Sequence, residues 1–289
     1  LNYLEHEEEV YPDCKGPSLI RTDFDCALNT LKDKKATGID NIPDILKNLH
    51  ELTKSLLFKI INECYETEKL PKDFIKSKSI TIPKKGNATN CTNYRTITLL
   101  SHASKILLTI IKNRLKRKIE DQLGKEQFGF RREGERERRT REAILALRLI
   151  LERRLDVNLP TYITFIVLEK AFDKVHWFLL FGALKRRGID WKDGRIILRL
   201  YKDQATLVDI NGTLKKAKIR KGVRQICPLS PYLFNLFMEE VIEEMKEVTN
   251  GVRINGEEVH SIRFADDIAL VAESEDNMNL LLNTFIKGY

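Results

Sequence analysis

Cysteine is scarce in this chain: five residues, Cys14, Cys26, Cys64, Cys91 and Cys227, no two closely spaced. An odd count without close pairs excludes a disulfide framework and a zinc knuckle. A reducing compartment, cytosol or nucleus, fits that usage. No apolar run reaches transmembrane length and no signal peptide opens the chain, so no membrane partner is expected. Internal repeats and low-complexity linkers are also missing. The first residue is Leu1 rather than Met, so the sequence reads as a fragment.

What is present is a basic, core-forming chain. It has 289 residues, 42% of them hydrophobic, and a formal net charge of +8. That size holds one large domain or two smaller ones. Basic balance favours an acidic partner, with nucleic acid the first guess, although bulk charge alone fits a merely soluble basic protein equally well. The distribution says more. Between Lys84 and Lys118 there are nine Lys or Arg and no acid, whereas Glu239 to Asp276 holds twelve acids against three bases. A second basic block runs from Lys185 to Arg224. Such blocks suit a protein that grips phosphates and holds cations; solvated helix faces are the plainer reading.

Helices are expected over about 24–31, 43–66, 101–120, 139–154, 178–187, 194–202 and 230–248; apolar spacing carries 43–66, and Ser230 as N-cap with Pro231 in the first turn carries the last. Strands are predicted over 78–83, 161–168, 206–210 and 214–219. The run TYITFIVL at 161–168 reads as a buried strand. Asn211-Gly212 and Asn255-Gly256 are hairpin signals. In SIRFADDIALVAE, residues 261–273, alternating apolar residues flank Asp266 and Asp267. The acidic N-terminal stretch reads as frayed. This order of elements suits an α+β fold.

Two adjacent carboxylates at a hairpin tip repel each other and stay ionised only when a cation or donors neutralise them. Oxygen ligands select hard cations such as Mg²⁺. Two metals can stabilise both the attacking and the leaving oxygen in phosphoryl transfer. An Asp-Asp pair is also an ordinary solvated turn, and a dipeptide alone does not decide between them.

Six boxes decide it. Phe264-Ala265-Asp266-Asp267 resembles motif C of reverse transcriptases, and residues 222–235 (GVRQICPLSPYLFN) resemble motif B of the non-LTR, LINE-type retrotransposon enzymes. Residues 169–175 (EKAFDKV) resemble the second half of motif A, 93–100 (NYRTITLL) a fingers motif, 127–131 (QFGFR) a further box, and 35–43 (KATGIDNIP) the box ahead of the fingers. The resemblance implies a right-hand polymerase with fingers and palm, an antiparallel palm sheet with a catalytic-type hairpin, and no thumb. It divides the chain into an N-terminal extension (1–30), fingers (31–155) and a palm cut short after motif C (156–289).

The resemblance also implies roles. Asp266 and Asp267 become catalytic metal ligands for Mg²⁺. Arg95, Phe172 and Gln225 become nucleotide-binding residues; Lys84, Lys85 and Arg224 contact nucleic acid. A planar guanidinium fits phosphate well. Phe172 fits plain core packing almost as well as a place under the sugar, and Arg224 fits a salt bridge as well as a phosphate. The partners implied are an RNA template, a DNA primer and deoxynucleoside triphosphates.

The sequence departs from the family at the metal site. Motif A places an aspartate where this chain has Val167, and valine offers no oxygen. Glu169, two residues on along the same strand face, is displaced by roughly 7 Å, and its longer side chain recovers only part of that gap. Mg²⁺ binding is expected to weaken. Ile226 stands where motif B has glycine, a backbone that a β-branched residue is not expected to follow. The stretch after Arg131 is longer and more charged than its counterpart. The chain thus reads as a decayed or truncated element copy. An active polymerase, a catalytically dead nucleic-acid-binding module and a relic without a selected role remain the competing readings.

Overall fold

The computed structural model describes residues 16–43, 45–83, 93–133, 136–137, 139–202, 204–210 and 213–289. The acidic N-terminal stretch, Lys84, Lys85 and the Asn211-Gly212 turn lie outside the described residues. The chain divides into two compact units: 1–118 with 176–230, and 119–175 with 231–289. These units interleave in sequence, so compactness does not follow the expected boundary at 155/156.

The first unit carries α1 (Arg21–Asn29), a 3₁₀ turn (Ile45–Asn48), α2 (Glu51–Thr67), α3 (Lys72–Ile75), β1 (Lys76–Pro83), β2 (Tyr94–Leu99) and α4 (His102–Ile119). One long helix was expected across 43–66. Instead the chain breaks at residues 49–50, where His50 takes extended backbone and its ring accepts from the Leu52 N–H, capping α2. Periodicity cannot see such a cap, because the apolar spacing runs straight through it.

In the second unit β3 (Arg132–Glu133) pairs with β4 (Arg136–Glu137), followed by α5 (Thr140–Asp156), β5 (Tyr162–Val167) and α6 (Ala171–Lys174). The chain then returns to the first unit with α7 (Trp177–Arg186), α8 (Trp191–Lys202), β6 (Ala205–Ile210) and β7 (Thr213–Lys218). It finishes with α9 (Ser230–Val248), β8 (Val252–Ile254), β9 (Glu257–Val259), β10 (Ser261–Phe264), β11 (Asp267–Ala272) and α10 (Glu275–Gly288), the last not foreseen from sequence.

The sheet of the first unit runs β2-β1-β6-β7. Only the β1–β6 pair is parallel, from Lys76 opposite Ala205 to Ser79 opposite Val208. Gly38, in the KATGID box, has a physical job here: a Cβ would sit 2.5 Å from the Ser101 nitrogen. The core gathers Ile61 and Tyr65 of α2, Ile106 and Ile110 of α4, and Ile196 and Leu200 of α8. Asp193 is buried, accepting from the Tyr65 hydroxyl at 2.8 Å, with the Arg114 guanidinium 3.7 Å away.

The sheet of the second unit runs β10-β11-β5, all antiparallel. Alternation sends Ile262, Ala269 and Val271 to one face, where Ala143 and Ile150 of α5 cover them. α10 packs on β11 and β5. The strand β5 was expected to be buried. It is an edge strand, and Phe165 and Val167 on one face are 71% and 79% exposed. Its β-branched, aromatic composition reports pleated geometry and not burial. The Asn255-Gly256 hairpin forms as expected, with φ of +51° and +85° at its two turn residues. No helix among the described residues is long and apolar enough to cross a membrane.

Candidate active site

The turn that joins β10 to β11 holds only Ala265 and Asp266. Ala265 takes φ +58°, a left-handed conformation at the position where tight hairpins commonly place glycine. An L residue there costs about 1–2 kcal/mol, so the surroundings must hold it. Three groups do so. The Gln127 side-chain carbonyl accepts from the Ala265 N–H at 3.3 Å and from the Gly129 N–H at 2.8 Å. Residues 126–128 lie alongside β10: the Arg263 N–H donates to the Glu126 carbonyl and the Phe128 N–H to the Arg263 carbonyl. The Asn235 amide donates to the Gly129 carbonyl at 3.0 Å. Gly129 approaches so closely that a Cβ would lie 2.1 Å from the Ala265 nitrogen.

A buried ion pair backs the same hairpin. Arg263 is fully buried and donates to Glu239 at 3.0 Å; Glu239 is itself 2% exposed. Glu239 also accepts from the Gly124 N–H. The acidic block of the sequence is thus partly committed to internal pairs rather than cations: Glu257 to Lys125, Glu258 to Arg253 and Glu273 to Arg154.

Asp266 is half-buried and Asp267 exposed at the tip. In the β11–β5 ladder Asp267 faces Val167. Asp267 and position 167 are therefore neighbours across the ladder, with Asp266 one residue earlier in the turn. Among the described residues, no group of three or more His, Cys, Asp or Glu is gathered for a metal. Two carboxylates beside an exposed hydrocarbon do not make the three-carboxylate donor set of a two-metal centre. Glu169 does not repair it. β5 ends at Val167, and Glu169 lies in the turn that follows, so the expectation that it continues the same strand face is corrected.

Phe172 stacks on Phe234, ring centroids 4.8 Å apart and planes 9° from parallel, while Phe130 meets it edge-on at 6.2 Å. It is half-buried, so packing accounts for its underside and leaves an upper edge open. Tyr289 stacks on Phe285, and its hydroxyl reaches the Ala171 carbonyl at 3.4 Å. Burial, reinforced by Asp266 and Asp173, pushes its phenol up to about 12.

The remaining candidates belong to the other unit. Lys84 and Lys85 lie outside the described residues. For Arg95 the backbone is described, in β2 opposite Ile82. Gln225 is half-buried in the loop between β7 and α9. Of the two readings the sequence leaves open for Arg224, a phosphate contact or an internal partner, the side chain takes internal partners. It is 5% exposed, and it donates to the Gln204 side chain at 2.9 Å and to the carbonyls of Phe74, Ile75 and Leu200. Four of its five N–H donors are thus spent inside the protein, which leaves no free fork for a phosphate. Ile226 takes φ +65° and is 64% exposed. The β-branched residue does follow the glycine-type backbone, at the cost of strain.

Sequence reasoning gave no role to Gln127, Gly129, Asn235, Glu239 or Arg263. The first two stood in the QFGFR box and the third in motif B. The spacing of a box does not say which backbone it props.

The second unit thus presents a hairpin with paired aspartates, propped by Gln127 and Gly129, in the same unit as the Phe172–Phe234 stack. Residues 82–288 match the family described as reverse transcriptase (RNA-dependent DNA polymerase), and the chain belongs to that family. Its relatives include Pol polyproteins of the retrotransposable element R2. That of Popillia japonica is 31% identical over 219 residues, 74% of this chain and 29% of the relative. That of Nasonia vitripennis is 28% identical over 261 residues, 88% of this chain and 24% of the relative. An uncharacterised 149 kDa protein of transposon TX1 from Xenopus laevis is 25% identical across 86% of this chain and 19% of its own length. The chain thus spans a quarter or so of these relatives, and it is a reverse transcriptase domain of the non-LTR kind. Among solved structures, telomerase from Candida tropicalis with a telomeric RNA fragment has a TM-score of 0.56 at 13% identity, covering 81% of this chain and 43% of that one. Telomerase from Candida albicans gives 0.55 at 11% identity, over 82% and 44%. These likenesses establish a shared fold.

Proposed function

We propose that this chain is the fingers and palm of a non-LTR retrotransposon reverse transcriptase in which nucleotide transfer is disabled at position 167. On this reading the β10–β11 hairpin is the palm hairpin and the β2-β1-β6-β7 sheet belongs to the fingers. The partners are an RNA template, a DNA primer and deoxynucleoside triphosphates, with Mg²⁺ held weakly by Asp266 and Asp267.

The observation that carries the reading is the pairing of Asp267 with Val167. A carboxylate at 167 would complete the oxygen set; isopropyl contributes none. Losing one preorganised electrostatic group costs about 10²–10³ in rate, and a lost bridging ligand is at least as severe. The loss at 167 touches none of the hydrogen bonds that hold the hairpin, which supports a folded nucleic-acid-binding protein without polymerase turnover.

Purified chain with a primed RNA template and Mg²⁺ should extend no more primer than an Asp266→Ala/Asp267→Ala double variant. Extension above that control refutes the loss of activity. Val167→Asp should raise Mg²⁺ affinity, read by calorimetric titration. An unchanged isotherm would remove position 167 from the metal site.

A further inference from the structure

A cavity of about 660 Å³ opens in the first unit, between the start of α7 and the basic edge strand β7. It belongs to one unit throughout and shares no residue with the aspartate hairpin. Lys216, Lys218, Arg220 and Lys221 line it, and the described lining residues include no carboxylate. Strand alternation explains the convergence: Lys216 and Lys218 stand opposite Leu207 and Ala205 and share one face of β7.

Three further features point to a ligand. The first turn of α7 lines the same cavity, and no side chain caps that helix. Uncapped N–H groups at a helix N-terminus attract anions. Gln204 lines it too. It is 2% exposed, its carbonyl oxygen is taken by Arg224, and its amide nitrogen has no partner. A guanidinium only donates, so the orphan group is a donor, which calls for an acceptor oxygen. Finally, Phe178 sits beside these cations with 72% of its surface exposed. An exposed ring among cations is a surface on which bases stack.

We propose that this cavity binds the phosphodiester backbone of single-stranded nucleic acid, with Phe178 as a stacking face. The inference rests on the proposed function only for the class of partner, not for the metal site. Free phosphate alone would not use the ring, and an acidic peptide would supply acceptor oxygens but no base to stack on it.

The test is fluorescence anisotropy with labelled twelve-nucleotide oligo(U) and oligo(dT), titrated across salt concentration. A Lys216→Gln/Lys218→Gln variant, altered only at exposed strand positions, should bind about 25-fold more weakly at 0.1 M salt. That follows from two phosphate contacts at a slope of about −0.7 each. A Phe178→Ala variant should weaken binding with the salt slope unchanged, and whichever oligonucleotide loses more identifies the source. A Lys54→Gln/Lys59→Gln variant on α2 removes equal charge elsewhere and should change affinity less than threefold. The inference is overturned if the two lysine pairs weaken binding equally. It is also overturned, with the proposed function intact, if only hairpin variants change binding. If wild-type chain binds neither oligonucleotide, the inference and the partner reading fall together.

Discussion

Replacing Gly129 by alanine puts the propping of the hairpin under direct test. The new Cβ would lie 2.1 Å from the Ala265 nitrogen and 2.9 Å from the Phe264 carbonyl carbon. Both are backbone atoms, so no side chain can swing aside. Ordinary contact begins near 3.4 Å, so the loop must retreat by about 1.3 Å. That retreat strains three hydrogen bonds: the two N–H groups held by Gln127, and the Gly129 carbonyl held by Asn235. Each contributes about 1 kcal/mol net, and overpacking adds about 1–3 kcal/mol. We expect a loss of about 4 kcal/mol, confined to the second unit. Neither tryptophan reports on that unit, since Trp177 and Trp191 lie in the other. Amide hydrogen exchange over residues 124–131 and 261–272 is therefore the assay, and protection there should fall about 1000-fold. Gly194 supplies the opposite sign. It lies within α8, where an added Cβ meets nothing within 4 Å. Gly194→Ala should stabilise by about 1 kcal/mol through helix propensity, read by Trp191 fluorescence in urea. If Gly129→Ala leaves exchange at the hairpin within fivefold of wild type, the close approach is not what holds Ala265 in place.

Other expectations follow from strain, burial and titration. Ile226→Gly should raise stability by about 1 kcal/mol in urea melts, because a strained left-handed residue is relieved at an exposed site; a loss would show that the isoleucine packs usefully. Glu239→Gln leaves Arg263 charged and unpaired in the core, and should cost about 3–5 kcal/mol. The double change Glu239→Leu/Arg263→Met should recover most of that loss; simple additivity would contradict it. Burial raises the phenols of Tyr65, Tyr201 and Tyr289. Free tyrosine ionises near pH 10, so above that pH the unfolded chain releases protons that the folded chain keeps, and stability falls as pH rises from 10 toward 12. Tyrosinate absorbance should show these three of the eight tyrosines ionising only as the protein unfolds. Full ionisation of all eight in folded protein at pH 10.5 would be the contrary result.

Much of the fold was legible because long helices and hairpin turns carry local signals. The helix at 230–248 came from its Ser230-Pro231 start, and the turn at Asn255-Gly256 from residues that tolerate positive φ. What was not legible was non-local. Whether TYITFIVL lies inside a sheet or at its edge depends on partners a hundred residues away. Arg224 looked like a phosphate ligand because it stands in a binding motif, yet the carbonyls of Phe74, Ile75 and Leu200 consume its donors. The same limit hid the Arg263–Glu239 pair, whose members are 24 residues apart and looked like ordinary surface charges. Charge counts report what a segment carries. They do not report which charges are already spent inside the protein.

The exposure of Val167 ties these threads together. At 79% exposed it buries almost nothing, so the sheet loses no packing whichever side chain stands there. The hairpin opposite it is held from behind, by Gln127, Gly129, Asn235 and the Arg263–Glu239 pair, and none of those contacts passes through position 167. Support and chemistry therefore occupy opposite sides of the same two strands. A substitution at position 167 therefore leaves the scaffold standing, whichever donors the proposed metal set requires there. On the proposed reading, this separation lets the fold and the paired aspartates persist in a chain whose donor set is one carboxylate short. On the proposed reading, stability measurements would not register that loss, whereas metal titration and primer extension would.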